Sequence, residues 1–217
     1  MSRPGRQIIN TKASAPLAQR RNAIVIGSLV LLALIVIVAI SRLSTVPQAA
    51  TVPNVAASPL VVGQKAPDFS VSTTSGPFTL SKSGSKPTLL EVFASWCPHC
   101  QREVKVIDPL YATYKDKVNF VAVNGDARGL DGSSPETQAD VVGWAQKFGV
   151  TYPVAFDPDL DVAHKYLQSG FPTLVLIGAD GTIQAVRDGE IPIADLKSVL
   201  QAAATGKRPN PKMGLKG

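Results

Sequence analysis

Cysteine and histidine are both scarce in this 217-residue chain, which has two residues of each kind. The cysteines, Cys97 and Cys100, stand three positions apart. A zinc site built on them would need two further ligands, and outside the cysteine motif the chain offers only His164 as a histidine candidate. A structural disulfide between them would close so short a loop that it would restrict the unfolded chain very little. The scarcity therefore favours a redox-active pair, with a zinc half-site and a structural disulfide as the alternatives.

Acidic residues are missing from both ends of the chain. Residues 1–22 contain five Arg and Lys residues and residues 207–217 contain four, without any Asp or Glu. Residues 43–206, by contrast, hold 12 basic and 16 acidic residues. The formal net charge of +6 therefore comes from the ends. It does not indicate a nucleic-acid-binding face, because such a face needs basic residues clustered on the folded domain.

Charged residues are also missing from residues 23–40, an apolar run with a single hydroxyl. As a helix, this run would extend about 27 Å, which is close to the hydrocarbon thickness of a bilayer. Basic residues lie mainly before it, so the positive-inside rule predicts a cytoplasmic segment at 1–22, a transmembrane anchor at 23–41 and an extracytoplasmic remainder. The competing interpretation is a cleaved signal peptide, whose apolar core is normally shorter. Either way the cysteines lie where disulfides persist.

The two cysteines belong to the sequence Trp-Cys-Pro-His-Cys at 96–100, which follows a strongly apolar stretch. The apolar and β-branched residues at 87–94 predict a buried strand that leads into a helix beginning at Cys97. Free N–H groups and the helix dipole at such an N-terminus favour a negative sulfur, so Cys97 is expected to ionise more readily than an ordinary thiol. The thiolate is the form that attacks disulfides.

The rest of the chain alternates strand and helix patterns around this motif. A proline-containing extended linker is predicted at 42–59, a folded domain at 60–204 and a disordered basic tail at 205–217. Within the domain, the patterns predict strands at 69–73, 77–80, 87–94, 118–124, 153–156, 172–177 and 182–187, and helices at 101–117, 134–148, 159–168 and 194–203. This order indicates an α/β fold in which a central mixed sheet is flanked by helices on both faces.

The cysteine motif after a buried strand, together with Gly-Phe-Pro-Thr at 170–173 before a hairpin and a final helix, resembles the thioredoxin fold. Three further features are similar to the membrane-anchored TlpA/ResA group of bacterial thiol–disulfide oxidoreductases. They are Lys-Ala-Pro-Asp-Phe at 65–69, the hairpin before the motif, and the extra strand and helix at 153–168. The resemblance covers about residues 60–204. It implies a thioredoxin-like domain with an N-terminal β-hairpin, carried on one N-terminal transmembrane helix.

The resemblance also implies roles for particular residues. Cys97 matches the exposed attacking cysteine and Cys100 the more buried resolving cysteine, so that the two form the redox-active disulfide. Pro172 matches a proline that is cis and lies beside the sulfurs, and Trp96 matches an aromatic residue that lines the substrate face. The other residues expected to contact substrate are Pro98, His99, Phe171 and Thr173.

Glu91 lies inside the apolar stretch, six residues before Cys97. The resemblance matches it to the buried acid beneath the disulfide in thioredoxins. Burial is costly for a charged carboxylate and raises its pKa, so Glu91 is expected to exchange a proton with Cys100 during catalysis. The alternative is a glutamate at a strand end that points to solvent.

These features predict an enzyme in the bacterial cell membrane, single-pass, with its catalytic domain on the extracytoplasmic side, that exchanges disulfides with exported protein thiols. The resemblance implies apocytochrome c among the clients and a membrane redox partner that resets the disulfide. No cofactor, metal or nucleic acid is expected. The family favours a reductase, whereas the Pro-His pair resembles DsbA enzymes and favours a dithiol oxidase. Lys-Ala-Pro-Asp-Phe also suggests a peroxiredoxin-like peroxidase, and the thiols together with His99 suggest a copper-binding module.

Overall fold

The computed structural model describes residues 31–32, 34–35, 59–211 and 213. The predicted cytoplasmic segment, most of the predicted anchor and nearly all of the predicted linker lie outside the described residues. The four described positions of the anchor are helical and exposed. No helix within the described residues combines the length and the apolar character needed to cross a membrane. The chain divides into two units, 1–53 and 54–217, and the second contains the folded domain.

The described part of the domain contains seven strands. They are β1 (Ser70–Thr73), β2 (Gly76–Thr79), β3 (Thr88–Phe93), β4 (Asn119–Asn124), β5 (Val154–Ala155), β6 (Thr173–Ile177) and β7 (Ile183–Asp188). They form one mixed sheet in the order β2-β1-β5-β4-β3-β6-β7. β3 pairs in parallel with β4 and antiparallel with β6, and β1 pairs antiparallel with β2. The apolar run that leads to the cysteines is therefore an inner strand of the sheet, and every residue of it is buried.

The described domain also contains four α-helices and one short 3₁₀ helix. They are α1 (Pro98–Tyr114), α2 (Gln138–Phe148), α3 (Asp161–Tyr166), α4 (Ile193–Ala204) and the 3₁₀ helix Leu80–Lys82. The apolar residues of α1, α2 and α4 pack on one face of the sheet, and those of α3 pack on the other. Both faces are covered, as predicted for a thioredoxin-like α/β fold.

Alternation along β3 decides which side chains reach the cysteine helix. Leu89 and Phe93 belong to the core on the α1 side, whereas Leu90 and Val92 belong to the core on the α3 side. Because successive side chains of a strand point to opposite faces, Glu91 shares the α1 side with Leu89 and Phe93. The strand therefore directs one carboxyl group into the same layer as the cysteine helix.

The start of α2 differs from its predicted position. The sequence Ser-Pro-Glu at 134–136 predicts a helix that begins there, but α2 begins at Gln138. Thr137 is the N-cap, and it exchanges hydrogen bonds with Asp140 in a capping box. Glu136 is buried before the helix and belongs to the preceding loop. The C-terminal signal is confirmed, since Gly149 ends the helix with a φ of 71°.

The predicted disordered basic tail, 205–217, contacts the domain at some of its described residues, of which 209 and 213 are buried. Met213 is fully buried in the core on the α1 side. The N–H of Val186, on the edge strand β7, donates to the carbonyl of Pro211 at 3.2 Å, and Arg187 Nη1 donates to the Met213 carbonyl at 3.4 Å. The tail is held because it supplies acceptors to β7 and one apolar side chain to the core, although its composition is polar.

Candidate active site

The turn between β3 and α1 fixes the position of the first cysteine. Cys97 is the N-cap residue of α1, and Pro98 follows at the first helical position, where a missing N–H leaves no hydrogen bond unmade. The Cys97 N–H donates to the carbonyl of Ala94 at 3.0 Å, and the Cys97 carbonyl accepts from the N–H of Gln101 at 3.1 Å. Both cysteines are free thiols. The structure therefore shows the reduced pair, with Cys97 at the positive end of the helix dipole.

Cys97 is less accessible than the attacking cysteine that the resemblance implies. Only 4 % of the residue is exposed, and its Sγ donates to the carbonyl of Phe171 over 3.7 Å. The rings of Trp96 and Phe171 meet edge to face with centroids 6.1 Å apart, and both pack against the core cluster that includes Cys97. The prediction of an exposed Cys97 is wrong for this conformation, because these neighbours pack around the sulfur.

The segment across from Cys97 has the backbone geometry that the resemblance implies, and one of its residues is completely buried. The Phe171–Pro172 peptide bond is cis. Thr173 is fully buried, and its Oγ1 lies 2.9 Å from the carbonyl of Gly170 and 2.9 Å from Asp188 Oδ1. The Thr173 side chain is therefore held inside the domain, and its contact with substrate stays a prediction. Its hydroxyl fixes the turn that presents the Phe171 carbonyl.

Cys100 and Glu91 meet in the buried layer between β3 and α1. Cys100 is completely buried, and this burial, followed by the negative charge of Glu91, raises the pKa of its thiol far above the ordinary value. Glu91 is 2 % exposed, and its carboxyl accepts from the Tyr152 hydroxyl at 3.2 Å. Burial and the charge of Glu103 raise the pKa of Glu91 to about 8, against the opposing effect of the Tyr152 hydrogen bond. The solvent-pointing alternative for Glu91 is excluded, while its role in proton transfer stays a prediction.

A second buried acid, Glu103, was missed by sequence reasoning. It is 1 % exposed, and its Oε2 accepts from the N–H of Ile191 at 3.1 Å. Burial raises its pKa to about 7, although the Ile191 hydrogen bond opposes the shift. The signal was present in the spacing, because a residue three positions after Cys100 on a helix lies on the same face as that cysteine. Two carboxyl groups, rather than one, therefore share the cysteine layer.

An exposed ion cluster lies on the other side of the helix start. Pro98 and His99 are both exposed, as expected for residues that could meet a client. His99 Nδ1 lies 2.6 Å from Glu190 Oε1, and Arg102 Nη2 donates to the same oxygen at 2.5 Å. Any positive charge on His99 is therefore paired with a carboxylate. Among the residues that the structure describes, no three His, Cys, Asp or Glu side chains are grouped to hold a metal ion.

Three comparisons with known proteins found similarities over most of the folded domain. The AhpC/TSA family matches residues 62–186. The thiol-disulfide oxidoreductase ResA of Geobacillus thermodenitrificans is 30 % identical over 145 residues, which cover 66 % of this chain and 78 % of ResA. The thioredoxin-like protein YneN of Bacillus subtilis is 30 % identical over 139 residues, covering 64 % of this chain and 78 % of YneN. A Chlorobium tepidum structure described as a DsbE thiol:disulfide interchange protein is 29 % identical with a TM-score of 0.59, covering 67 % of this chain and 99 % of its own.

Proposed function

This chain belongs to the AhpC/TSA family, and on that premise we propose that it exchanges disulfides with protein clients through Cys97 and Cys100. It is an enzyme of the thiol–disulfide oxidoreductase class, to which its named relatives and its structural neighbour belong. The observation that carries the proposal is the placement of Cys97 at the N-terminus of α1 with Cys100 buried one turn later. This arrangement separates an attacking sulfur from a protected resolving sulfur.

The residues on each side of the pair suggest a two-step exchange. The Cys97 thiolate attacks one sulfur of a client disulfide, the client S–S bond breaks, and the other client sulfur leaves as a thiolate. Where Glu91 is ionised, which its pKa of about 8 makes a minor fraction of molecules at neutral pH, Cys100 then gives its proton to this carboxylate and attacks Cys97 Sγ. This attack releases the second client sulfur and closes the Cys97–Cys100 disulfide. Two electrons pass from the cysteine pair to the client. Glu91 serves because it is the acid whose charge acts directly on Cys100.

The charges around the pair favour reduction of clients over their oxidation. Strong oxidants in this chemistry have a stabilised reduced form. Here the buried carboxyl groups of Glu91 and Glu103 disfavour negative charge in the cysteine layer. Glu190 is bound to both His99 and Arg102, so it offsets the positive charges that would stabilise a thiolate on Cys97. We therefore propose a reductase, with a dithiol oxidase as the alternative.

We propose that the domain works outside the cytoplasm, tethered by a helix at residues 23–41. The support for this lies in the sequence: an uncharged run long enough to span a bilayer, with most of the flanking basic residues before it. Exported proteins with disulfides, such as apocytochrome c, are the proposed clients. Since each turnover leaves the Cys97–Cys100 pair oxidised, a membrane redox partner is proposed to reduce it again.

Trapping of the mixed disulfide tests the exchange reaction. The Cys100→Ser variant lacks the resolving thiol, so Cys97 should stay covalently bound to client proteins in a complex that dithiothreitol dissolves. The Cys97→Ser variant is the matched control and should trap far less, because Cys100 is completely buried. If the Cys100→Ser variant traps no more protein than the Cys97→Ser variant, the assignment of protein clients is wrong.

The reduction potential of the Cys97–Cys100 pair tests the direction. A reductase should have a reduction potential close to that of thioredoxin, about −270 mV. A reduction potential close to that of DsbA, about −120 mV, would indicate an oxidase. Rapid peroxide consumption by Cys97 would instead support the peroxidase, and stoichiometric copper retained by the purified protein would support the binding module. Either result without disulfide exchange would replace the proposed function.

A further inference from the structure

The burial of Cys97 raises the question of what controls access to its sulfur. With 4 % of the residue exposed, the groups that surround Cys97 limit how a client disulfide approaches Sγ. Trp96 is half-buried and precedes Cys97 directly, and its ring contacts Phe171 across the site. The contacts that hold Trp96 and the turn before it therefore bear on the reaction.

A buried hydrogen-bonded cluster holds the residue before Trp96. Ser95 is fully buried, and its hydroxyl donates to Glu136 Oε2. The Asn124 side chain donates to the same oxygen at 2.8 Å. Glu136 is itself 7 % exposed and lies 41 residues from Ser95 along the chain. A buried hydrogen bond over this sequence distance fixes the β3–α1 turn to the loop before α2.

A second contact from the same loop holds Trp96 itself. The Arg128 guanidinium lies over the indole ring, with Cζ 4.5 Å from the ring centroid. Two hydrogen bonds to Asp126, from Nε at 3.0 Å and from Nη2 at 2.9 Å, keep the guanidinium plane in place. The Arg128 side chain is 52 % exposed, so this contact is at the surface and open to a client.

The Glu136 contact and the Arg128 contact are joined through the backbone of residues 126–136, which we call the 126–136 loop. The Glu136 N–H donates to the Ala127 carbonyl at 2.8 Å, and the Gly129 N–H donates to the Ser134 carbonyl at 2.7 Å. These bonds bring Arg128 opposite Pro135 in a β-bridge. The buried anchor at Glu136 and the exposed contact at Arg128 therefore belong to one hydrogen-bonded unit.

We propose that Arg128 and Glu136 are positioning residues of the exchange reaction, which hold Trp96 and Ser95 and thereby set how far Cys97 Sγ is open to a client disulfide. Glu136 fixes the turn, and Arg128 holds the Trp96 ring until a client displaces it. The inference deepens the proposed function, on which it rests, since it concerns access to the same sulfur. The 126–136 loop then borders the site together with the segment around Phe171 and the N-terminus of α1.

The first test measures the reactivity of Cys97 in the Cys100→Ser background, where it is the only thiol in the chain. The rate constant for reaction with the aromatic disulfide 5,5′-dithiobis(2-nitrobenzoic acid) is followed against pH. Its plateau at high pH reports access to the thiolate, and its midpoint reports acidity. Because an exposed cation–π contact is worth about 0.5–1 kcal/mol, Arg128→Ala should raise the plateau about 2–5-fold.

Two control variants separate positioning from charge. Arg128→Lys keeps the positive charge but loses the planar stacking and the paired hydrogen bonds to Asp126, so it should raise the plateau like Arg128→Ala. Lys147→Ala removes a cation over a different ring, that of Phe148, and should leave the plateau unchanged. If Arg128→Lys behaves as the unsubstituted protein while Arg128→Ala moves only the midpoint, Arg128 acts by charge and the proposal is wrong.

The buried anchor is tested by a conservative pair. The side chains of Ser95 and Asn124 both donate to Glu136 Oε2, whereas Oε1 has no hydrogen-bond partner within the described residues. Glu136→Gln can therefore keep both bonds to its amide oxygen and should match the unsubstituted plateau. Ser95→Ala removes one donor without introducing a buried charge, and it should raise the plateau in the same direction as Arg128→Ala. An unchanged plateau in Ser95→Ala would overturn the role of the anchor.

Fluorescence gives a readout that is independent of thiol chemistry. Trp144 is 1 % exposed, so quenching by acrylamide reports mainly on Trp96. Quenching should increase in Arg128→Ala and Ser95→Ala and stay unchanged in Glu136→Gln. If plateau and quenching change as expected but the protein reduces no client disulfide, the proposed function fails and the positioning roles stand. If clients are reduced but neither readout changes, the positioning roles fail alone.

Discussion

Replacing Glu91 by Gln should make the reduced protein more stable at neutral and alkaline pH while slowing its reaction. The carboxyl group is completely enclosed between β3 and α1, and one of its oxygens accepts from Tyr152. Gln keeps that acceptor and supplies an N–H₂ group at Oε1, which has no partner within the described residues. The substitution therefore removes a buried ionisable group without changing the shape of the side chain.

The size of the effect follows from the pKa of Glu91, which burial raises from 4.5 to about 8. The folded protein holds this proton up to about pH 8, whereas the unfolded chain releases it near pH 4.5, so the folded state binds more protons between these values. Stability contributed by the neutral form is complete below about pH 4.5 and is lost as pH rises. The loss is about 3 kcal/mol at pH 7 and about 5 kcal/mol above pH 8.

Urea unfolding of the reduced proteins at pH 4.5, 7 and 9 measures this loss. The free energy of unfolding of Glu91→Gln, relative to the unsubstituted protein, should rise by about 3 kcal/mol from pH 4.5 to 7 and by about 4 kcal/mol from pH 4.5 to 9. Glu103 titrates in the same direction but is present in both proteins, so the difference reports Glu91 together with its interaction with Glu103. A difference that stays constant with pH would refute a raised pKa for Glu91.

The same variant should slow the resolving step, because a neutral amide cannot accept the proton of Cys100. Stopped-flow measurement of the second exchange step should show a decrease of about 100-fold or more, the usual minimum contribution of a general base. If the variant is stabilised as expected but resolves the mixed disulfide at the normal rate, Glu91 is a buried acid without a catalytic role.

Three other substitutions test separate parts of the site. Glu103→Gln keeps the acceptor for the Ile191 N–H and should remove a loss of about 3 kcal/mol that develops between pH 4.5 and about 7, measured by the same urea titration. Glu190→Gln leaves Arg102 without its carboxylate partner. It should raise the reduction potential of the Cys97–Cys100 pair by up to about 30 mV in a glutathione titration. An unchanged potential would show that the ion cluster does not influence Cys97 electrostatically. Gly125→Ala should lower the free energy of unfolding by about 1–3 kcal/mol in urea, because its Cβ would lie 2.5 Å from Val92 Cγ1 and 3.1 Å from the Phe171 ring. The control is Gly143→Ala on α2, where the space around the Cβ is open. This control should raise the free energy of unfolding by about 0.5–1 kcal/mol. Equal stability changes at the two glycines would contradict the packing of Phe171 against Gly125.

The parts of the site that local patterns determine were predictable from the sequence. An apolar stretch at 87–94 followed by a proline next to Cys97 predicts a strand and a helix start, and both are found at those positions. The cis bond at Pro172 is confirmed, but it came from the family resemblance, because the sequence around a proline does not by itself determine its isomer. Local periodicity thus placed the sulfurs, and resemblance placed the segment opposite them.

The parts that depend on contacts far along the chain were not predictable. The hydrogen bond between Ser95 and Glu136 joins residues 41 positions apart. The sequence around Glu136 instead predicts the first turn of a helix. Met213 lies in a tail rich in Lys, Pro and Gly, so no periodicity indicates that it packs into the core. The exposure of Cys97 was misjudged for the same reason, since the groups that cover it come from separate segments of the chain.

The two buried acids follow from two different periodicities that meet at one place. A period of two along β3 turns Glu91 toward α1, and a spacing of three along α1 turns Glu103 to the face of Cys100. Each element alone places one polar group in an apolar layer, where its charged form is disfavoured. Together they place two carboxyl groups whose pKa values, about 8 and about 7, lie close to neutral pH. Glu91 is therefore ionised in a minor fraction of molecules at neutral pH, and in that form it is the proposed acceptor of the Cys100 proton inside the protein.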